Sequence, residues 1–316
     1  MSILLIHTGG TIAMAQSDQG FVPVVGIVED AVAGLVAEGQ VGAPVEILRL
    51  DPLIDSAQAT PQDWLRVART IHEAREMHDA FVVTHGTDTL AYTAAALCLA
   101  LAGLDRPVIV TGAMSPLTVP GNDGLRNLTD AMAAAQTAPP GVWVQFGGRL
   151  LHGGRVRKVH SQAFDAFAAT EGETAPIQPA DAAALIEVAP HKVAILTATP
   201  DLCMDLFAHA VDCCDGLVLR CFGAGTVPDT AALEAVLTTA RTREVPVVAV
   251  TQCHEGGTRL GTYAADSILG RTGVVDGRDM TAEAAFAKMQ FALSRSGDFD
   301  ARRRFLSSAQ CGEMRR

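Results

Sequence analysis

Residues 80–104, AFVVTHGTDTLAYTAAALCLALAGL, decide the fold class. The β-branched and aromatic run Ala80–Thr84 reads as a buried strand. The polar turn after it, Thr84-His85-Gly86-Thr87-Asp88-Thr89, feeds directly into an alanine-rich helix over Asp88–Leu104. A strand that passes through a short loop into a helix is the repeating unit of an α/β protein with a mainly parallel sheet. Outward from this unit the alternation recurs. Strands are expected at Ile3–His7, Val45–Leu50, Pro107–Thr111 and Val142–Phe146, and helices at Pro61–His78 and Asp123–Ala135. Trp64, Val67, Ala68 and Ile71 fall at helical spacing, and Thr60-Pro61 supplies an N-cap and an N1 proline.

The stretch Thr170–Ala184, TEGETAPIQPADAAA, interrupts this rhythm with acidic, proline and small residues and no apolar period. It reads as a linker, within about 170–190, between a domain over 1–182 and a second over 190–316. Beyond it strands are expected at Val193–Thr197, Gly216–Cys221 and Val245–Thr251. Helices are expected at Asp201–Val211, Thr230–Arg241 and Thr281–Ser294.

Composition excludes several classes. The 316 residues are enough for two domains with cores of their own. The 24 Lys+Arg against 35 Asp+Glu give a net charge of −11, and no basic run is present, so nucleic acid is not an expected partner. Mean hydropathy is +0.24, yet the longest nearly unbroken apolar stretch, Ala94–Leu104, falls short of the roughly 20 residues that span a bilayer, so no membrane is expected. Met1-Ser2 leads straight into Ile3–Ile6 without a basic segment or cleavage site, which places the chain in the cytoplasm. The seven cysteines form no C-x-x-C pair and are expected as buried free thiols. The nine histidines form no H-E-x-x-H, and no metal is expected.

In open α/β sheets ligands bind beyond the carboxyl ends of the strands. Four successive strand ends carry small or hydroxyl residues. His7-Thr8-Gly9-Gly10-Thr11-Ile12 places a threonine at the tip of a sharp turn, although a Gly-Gly turn also has a purely structural use. In Asp55-Ser56-Ala57 a hydroxyl and nearby amides suit a carboxylate, or else cap a loop. In Thr84–Leu90, helix-start amides favour anions and Asp88 suits an ammonium. An ordinary N-cap would explain Asp88 but not the hydroxyls crowded around it. The fourth end reads Thr111-Gly112-Ala113-Met114.

HTGGTIAM, THGTDTLAYTAAAL, VIVTGAM, NDGLRNL, GGRVRKVHSQAFDAF, FGAGTVP, TQC and GRDMTAEAAFAKMQ, in this order, resemble the bacterial-type L-asparaginases, most of all the cytoplasmic type I branch. The resemblance runs from Ile3 to about Leu293. It implies an α/β fold with a larger N-terminal, mainly parallel sheet domain and a smaller C-terminal α/β domain, assembled as a homodimer or homotetramer. The implied reaction is hydrolysis of L-asparagine to L-aspartate and ammonia through an acyl-threonine, with no cofactor. The runner-up substrate is glutamine or another small amide, because one methylene is worth only about 1–3 kcal/mol in a pocket. A weakened amino-acid-binding protein is the alternative of a different class. Carried over residue by residue, Thr11 matches the nucleophile, Thr87, Asp88 and Lys158 the second triad, and Asp55 and Ser56 the segment that holds the substrate carboxylate. Thr87 and Asp88 also bind substrate, and the Ala113 carbonyl faces the scissile amide.

Chemistry runs parallel to the resemblance. A threonine hydroxyl is a poor nucleophile and needs a base, a role open to Lys158 if its surroundings disfavour the charged form. A solvated lysine in a basic hairpin with Arg155 and Arg157 is the alternative. Amides at the glycine turns would stabilise an oxyanion by roughly 3–4 kcal/mol per donor. Two departures stand out. In Gly20-Phe21-Val22-Pro23-Val24 a phenylalanine replaces the lid tyrosine of the family, and the two tyrosines, Tyr92 and Tyr263, lie elsewhere in the chain. Arg157 stands where type I relatives carry a small hydroxyl residue near a regulatory site that Gln252 and Cys253 match, so allostery is not expected. Phe21→Tyr is expected to raise turnover of asparagine in an ammonia-release assay. Unchanged or lower turnover would show that this chain has no need of a lid hydroxyl.

Overall fold

The computed structural model describes residues 1–18, 20–260 and 268–316, so Tyr263 lies outside the described residues. Two compact units result, Met1–Ile186 and Glu187–Arg316.

The first unit starts with β1 (Ile3–His7), a 3-10 turn at Thr11–Ala13, and a hairpin of β2 (Met14–Ser17) and β3 (Gly20–Pro23). It continues with α1 (Ile27–Ala37), β4 (Val45–Arg49), a 3-10 turn at Ser56–Gln58, α2 (Pro61–Ala74), β5 (Ala80–Thr84), α3 (Leu90–Ala100) and β6 (Leu101–Ala102). It closes with β7 (Pro107–Thr111), α4 (Gly124–Thr137), β8 (Gly141–Phe146), β9 (Arg149–His152), β10 (Val156–Lys158), β11 (Phe167–Ala169) and β12 (Ala184–Leu185). The six-stranded sheet has the order β4-β1-β5-β7-β8-β9, parallel except for β9. All five residues of β1 and of β5 are buried, as continuous apolar runs in a sheet covered on both faces should be.

This order places β4 and β5 on opposite sides of β1, so the chain reverses direction across the sheet between β1 and β5. A crevice therefore opens at their carboxyl ends. His7 pairs with Thr84, and Thr84 with Thr111, so the loops after β1, β5 and β7 emerge at one level.

Helix α2 begins as its sequence signals require. The Thr60 amide and hydroxyl both donate to Asp63 Oδ2 at 2.8 Å, and Pro61 opens the first turn. α1 lacks such signals. Its N-cap is Gly26 in the left-handed region at φ 98°, with no side-chain cap. The stretch read as a linker is tied to the first unit: the Val142 amide donates to the Pro176 carbonyl (3.0 Å), the Gln178 amide to that of Cys98 (3.0 Å), and β12 pairs with β6.

The second unit contains β13 (Val193–Thr197), α5 (Met204–Cys213), β14 (Gly216–Cys221), α6 (Ala231–Thr242), β15 (Val247–Thr251), α7 (Ile268–Arg271), β16 (Val275–Asp276), α8 (Ala282–Ser294) and α9 (Phe299–Ser307). Its parallel sheet runs β13-β14-β15-β16 over a core that includes Leu217, Leu219, Leu233, Leu237 and Ala249. Lys288 and Glu313 form a fully buried ion pair at 2.6 Å, and Lys288 also donates to the Ser308 carbonyl at 2.7 Å. The cysteines differ from expectation. Cys98, Cys221 and Cys311 are buried, but Cys203, Cys213 and Cys253 are exposed and Cys214 is half-buried. The exposed ones sit at the ends of α5 and just past β15, where the chain leaves the core.

Burial holds both His7 and His85 below the usual histidine range. Gly86 O can only accept, so His85 Nδ1 carries the proton (2.8 Å) and Nε2 accepts from Thr93 Oγ1 (3.0 Å). The folded chain thus keeps these rings neutral, whereas the unfolded chain protonates them near pH 6.5. The unfolded state binds more protons below that pH, so stability falls as pH drops. Between pH 7.5 and 5.5 the loss is expected to reach up to about 1.4 kcal/mol per histidine. Urea unfolding at the two pH values checks it, and equal midpoints would contradict it.

Candidate active site

The loops after β1, β4 and β5 approach one another more closely than side chains allow. A Cβ on Gly10, whose φ is +93°, would lie 2.5 Å from the Gly86 amide nitrogen. One on Gly86 would lie 2.3 Å from Ser56 Oγ. Only glycine leaves room at either position. The strand ends beneath are cross-linked. His7 Nδ1 lies 2.8 Å from Thr84 Oγ1, and the Thr8 hydroxyl donates to the Thr84 carbonyl at 2.7 Å.

Thr11 opens the 3-10 turn above Gly10, half-buried, and its hydroxyl makes no hydrogen bond with another described residue. Ser56 is 6% exposed and reaches the Gly86 backbone, while its carbonyl accepts from Thr89 Oγ1 at 2.7 Å. The Asp55 carboxylate is occupied locally: it accepts from the Ala57 amide and from Gln58 Nε2, each at 3.0 Å. Asp55 therefore positions the Ser56 turn. Ala113 is buried, and no described residue donates to its carbonyl.

Lys158 reaches the crevice from the end of β10, where it pairs with Phe167 of β11. Its Nζ donates to Thr87 Oγ1 at 2.9 Å and to Asp88 Oδ1 at 3.1 Å. Thr87 is buried, whereas the Lys158 and Asp88 side chains are 23% and 62% exposed. The structure thus joins Thr87, Asp88 and Lys158 directly and brings Ser56 against the same loop. Phe21 is not joined to them. It lies on the β2–β3 hairpin opposite Gln16, 46% exposed. In the second unit Gln252 Nε2 donates to the carbonyls of Ala198 (2.7 Å) and Arg220 (3.0 Å), which ties neighbouring strand ends.

Sequence reasoning missed the residues that hold the Gly112–Ser115 loop. The buried Asp123 carboxylate accepts the amides of Met114 (2.9 Å) and Ser115 (2.9 Å) and the Asn127 amide (3.0 Å). Asn127 also donates to the Gly112 carbonyl at 3.0 Å and accepts from the Gly147 amide at 3.1 Å. The i, i+4 spacing of Asp123 and Asn127 within NDGLRNL was the available signal. His85 was missed as well, and its neutral ring fixes the Gly86 carbonyl. A separate cavity of about 530 Å³, lined by Trp143, Leu150, His152, Glu171 and Glu173 among others, contains none of these groups.

Comparison with known proteins agrees with this architecture. Residues 2–186 match the family described as "Asparaginase, N-terminal", and residues 192–306 that described as "Glutaminase/Asparaginase C-terminal domain". The chain is 34% identical over 330 residues to L-asparaginase 1 of Escherichia coli K12, covering 99% of this chain and 98% of that one. It is 34% identical over 335 residues to an L-asparaginase of Thermococcus kodakarensis, covering 99% of each. The structure of L-asparaginase I from Vibrio cholerae superimposes with a TM-score of 0.90 at 31% identity, covering 99% of both chains.

Removing the Asp123 carboxylate strands two loop amides. Asp123→Ala is expected to destabilise the first unit by about 1–3 kcal/mol, read as a lower unfolding midpoint. An unchanged midpoint would show that water replaces the carboxylate without loss.

Proposed function

We propose that this chain, which belongs to the asparaginase family, hydrolyses L-asparagine to L-aspartate and ammonia through an acyl-threonine intermediate. The observation that carries the mechanism is the contact of Lys158 Nζ with both Thr87 Oγ1 and Asp88 Oδ1 at the β1/β5 crevice. Thr11, at the tip of GGTI, is the nucleophile. Its oxygen bonds to the amide carbon, the C–N bond breaks, and its proton leaves with the departing nitrogen as ammonia. Water then cleaves the ester and restores the hydroxyl. Thr87, wired to Lys158 and Asp88, handles these proton transfers through that hydrogen-bonded chain.

The substrate is a zwitterion. Ser56 and the amides around it suit its α-carboxylate, and the mostly exposed carboxylate of Asp88 suits its α-ammonium. The Ala113 carbonyl, which accepts from no described residue, suits the side-chain amide N–H. Hydroxyls, a lysine, a carboxylate and backbone amides complete the inventory, and the reading assigns no step to a metal or cofactor. A cytoplasmic location and a homodimer or homotetramer belong to the same reading. Glutamine is the second substrate to examine, because the described family of residues 192–306 includes glutaminases by name.

Ammonia release from asparagine and glutamine, measured for Thr11→Ala, Thr87→Ala and Lys158→Met, tests the proposal. Each substitution is expected to lower turnover at least about 100-fold. Full activity in both threonine variants would sink the assigned site, and binding of asparagine without ammonia release by the unaltered chain would make it a sensor.

A further inference from the structure

Cys213 and Cys214 are adjacent in sequence at the end of α5, and their sulfurs lie 3.9 Å apart. Cys213 is the last helical residue and exposed. Cys214 has extended backbone (φ −105°, ψ 153°) and is half-buried, so the change in conformation at the helix end turns both side chains toward one another. They line a cavity of about 420 Å³ whose wall also includes Val245, Leu293, Arg243 and Arg302. Among the described residues the Arg302 Nε is buried without a hydrogen-bond partner.

An ordinary disulfide does not fit this pair. Adjacent Cα atoms are about 3.8 Å apart, below the roughly 4.4–6.8 Å that unstrained disulfides span, so the oxidised form would be strained and easily reduced. A bridging atom fits better. Two bonds to sulfur of about 2.3 Å, opened at about 100–110°, hold sulfurs roughly 3.5–3.8 Å apart, close to the separation already present. A tetrahedral metal ion such as zinc asks for more ligands than the pair offers, because among the described residues no group of three His, Cys, Asp or Glu is arranged to hold one, and a linear two-coordinate ion needs sulfurs about 4.6 Å apart. The acceptor must be satisfied by two protein sulfurs.

We propose that Cys213 and Cys214 form a bidentate dithiol site for trivalent arsenicals, the arsenic held by the two sulfurs at the wall of this cavity. Both S–H bonds break and two As–S bonds form. The two protons leave with the arsenical oxygen as water, and arsenic stays trivalent, so no oxidant is required. Burial and the neighbouring thiol push the Cys214 thiol up, so both S–H protons are present to leave with the oxygen.

Phenylarsine oxide added to the full chain tests the proposal by intact mass. One equivalent is expected to remain bound in excess monothiol and to be stripped by a dithiol such as dithiothreitol. Cys213→Ser and Cys214→Ser are each expected to lose the retained adduct, whereas Cys203→Ser and Cys253→Ser, which remove the other exposed thiols, are expected to keep it. Far-UV circular dichroism confirms that each variant is folded. Retention by a folded Cys213→Ser or Cys214→Ser variant, or release from the unaltered chain by monothiol alone, would overturn the assignment.

Discussion

Backbone meets backbone where Gly10 passes Gly86, and the architecture of the crevice depends on that approach. β1 and β5 are paired flush, His7 against Thr84, so their two loops leave the sheet together and must share one narrow space. An added methyl at Gly10 would fall 2.5 Å from a main-chain nitrogen, which has no rotamer through which to yield. Either loop would have to move, and with it Thr11 or Thr87. Displacements of about 1 Å are enough to take reacting groups out of attack geometry. The glycines therefore set the distance between the two hydroxyls, although neither takes part in the chemistry.

The polar groups around the crevice divide into two kinds. His85, Thr93, Asp123 and Asn127 are buried, and each finds hydrogen-bond partners in neighbouring backbone or side chains. In a low-dielectric setting a satisfied network of this kind fixes loop geometry firmly. Lys158 and Asp88 differ, because Asp88 is mostly exposed and such a pair adds little to stability. The contrast with Lys288 and Glu313, wholly buried in the second unit, makes the point sharper. A pair that contributes little to folding, held by a short two-stranded ribbon and aimed at a threonine, is better explained by proton transfer than by architecture.

The sequence was most legible where local and tertiary preferences coincide. β1, β5 and β7 match their expected limits because apolar β-branched runs bounded by polar turns suit a buried parallel strand. Thr60 and Pro61 announced α2 through groups that do cap it. α1 was invisible because its start is a left-handed glycine and its interior contains Gly34, so neither cap nor propensity marks it. The stretch after Thr170 looked like a linker because its hydrogen bonds go to distant backbone at Cys98, Gly103 and Val142, which no local pattern encodes. The site shows the same division. Of the proposed site, Thr11, Ser56, Thr87 and Asp88 follow strands and so stood out in the sequence, whereas Lys158 entered through the family resemblance. Asp123 acts through backbone amides nine residues away, a relation that exists only in three dimensions.

Phe21 bears on how labour is divided in the proposed reaction. A phenyl ring excludes water but neither donates nor accepts a proton, and the Thr11 hydroxyl has no partner among the described residues. Thr87 is already bonded to an amine that is itself held by a carboxylate. In the proposed reaction acid–base work then falls to the fixed frame built on β5 and β10, and not to the hairpin. Closure of the hairpin would then govern desolvation and substrate retention, while proton transfer would depend on how well the Gly10–Gly86 contact keeps Thr11 beside the Thr87 system.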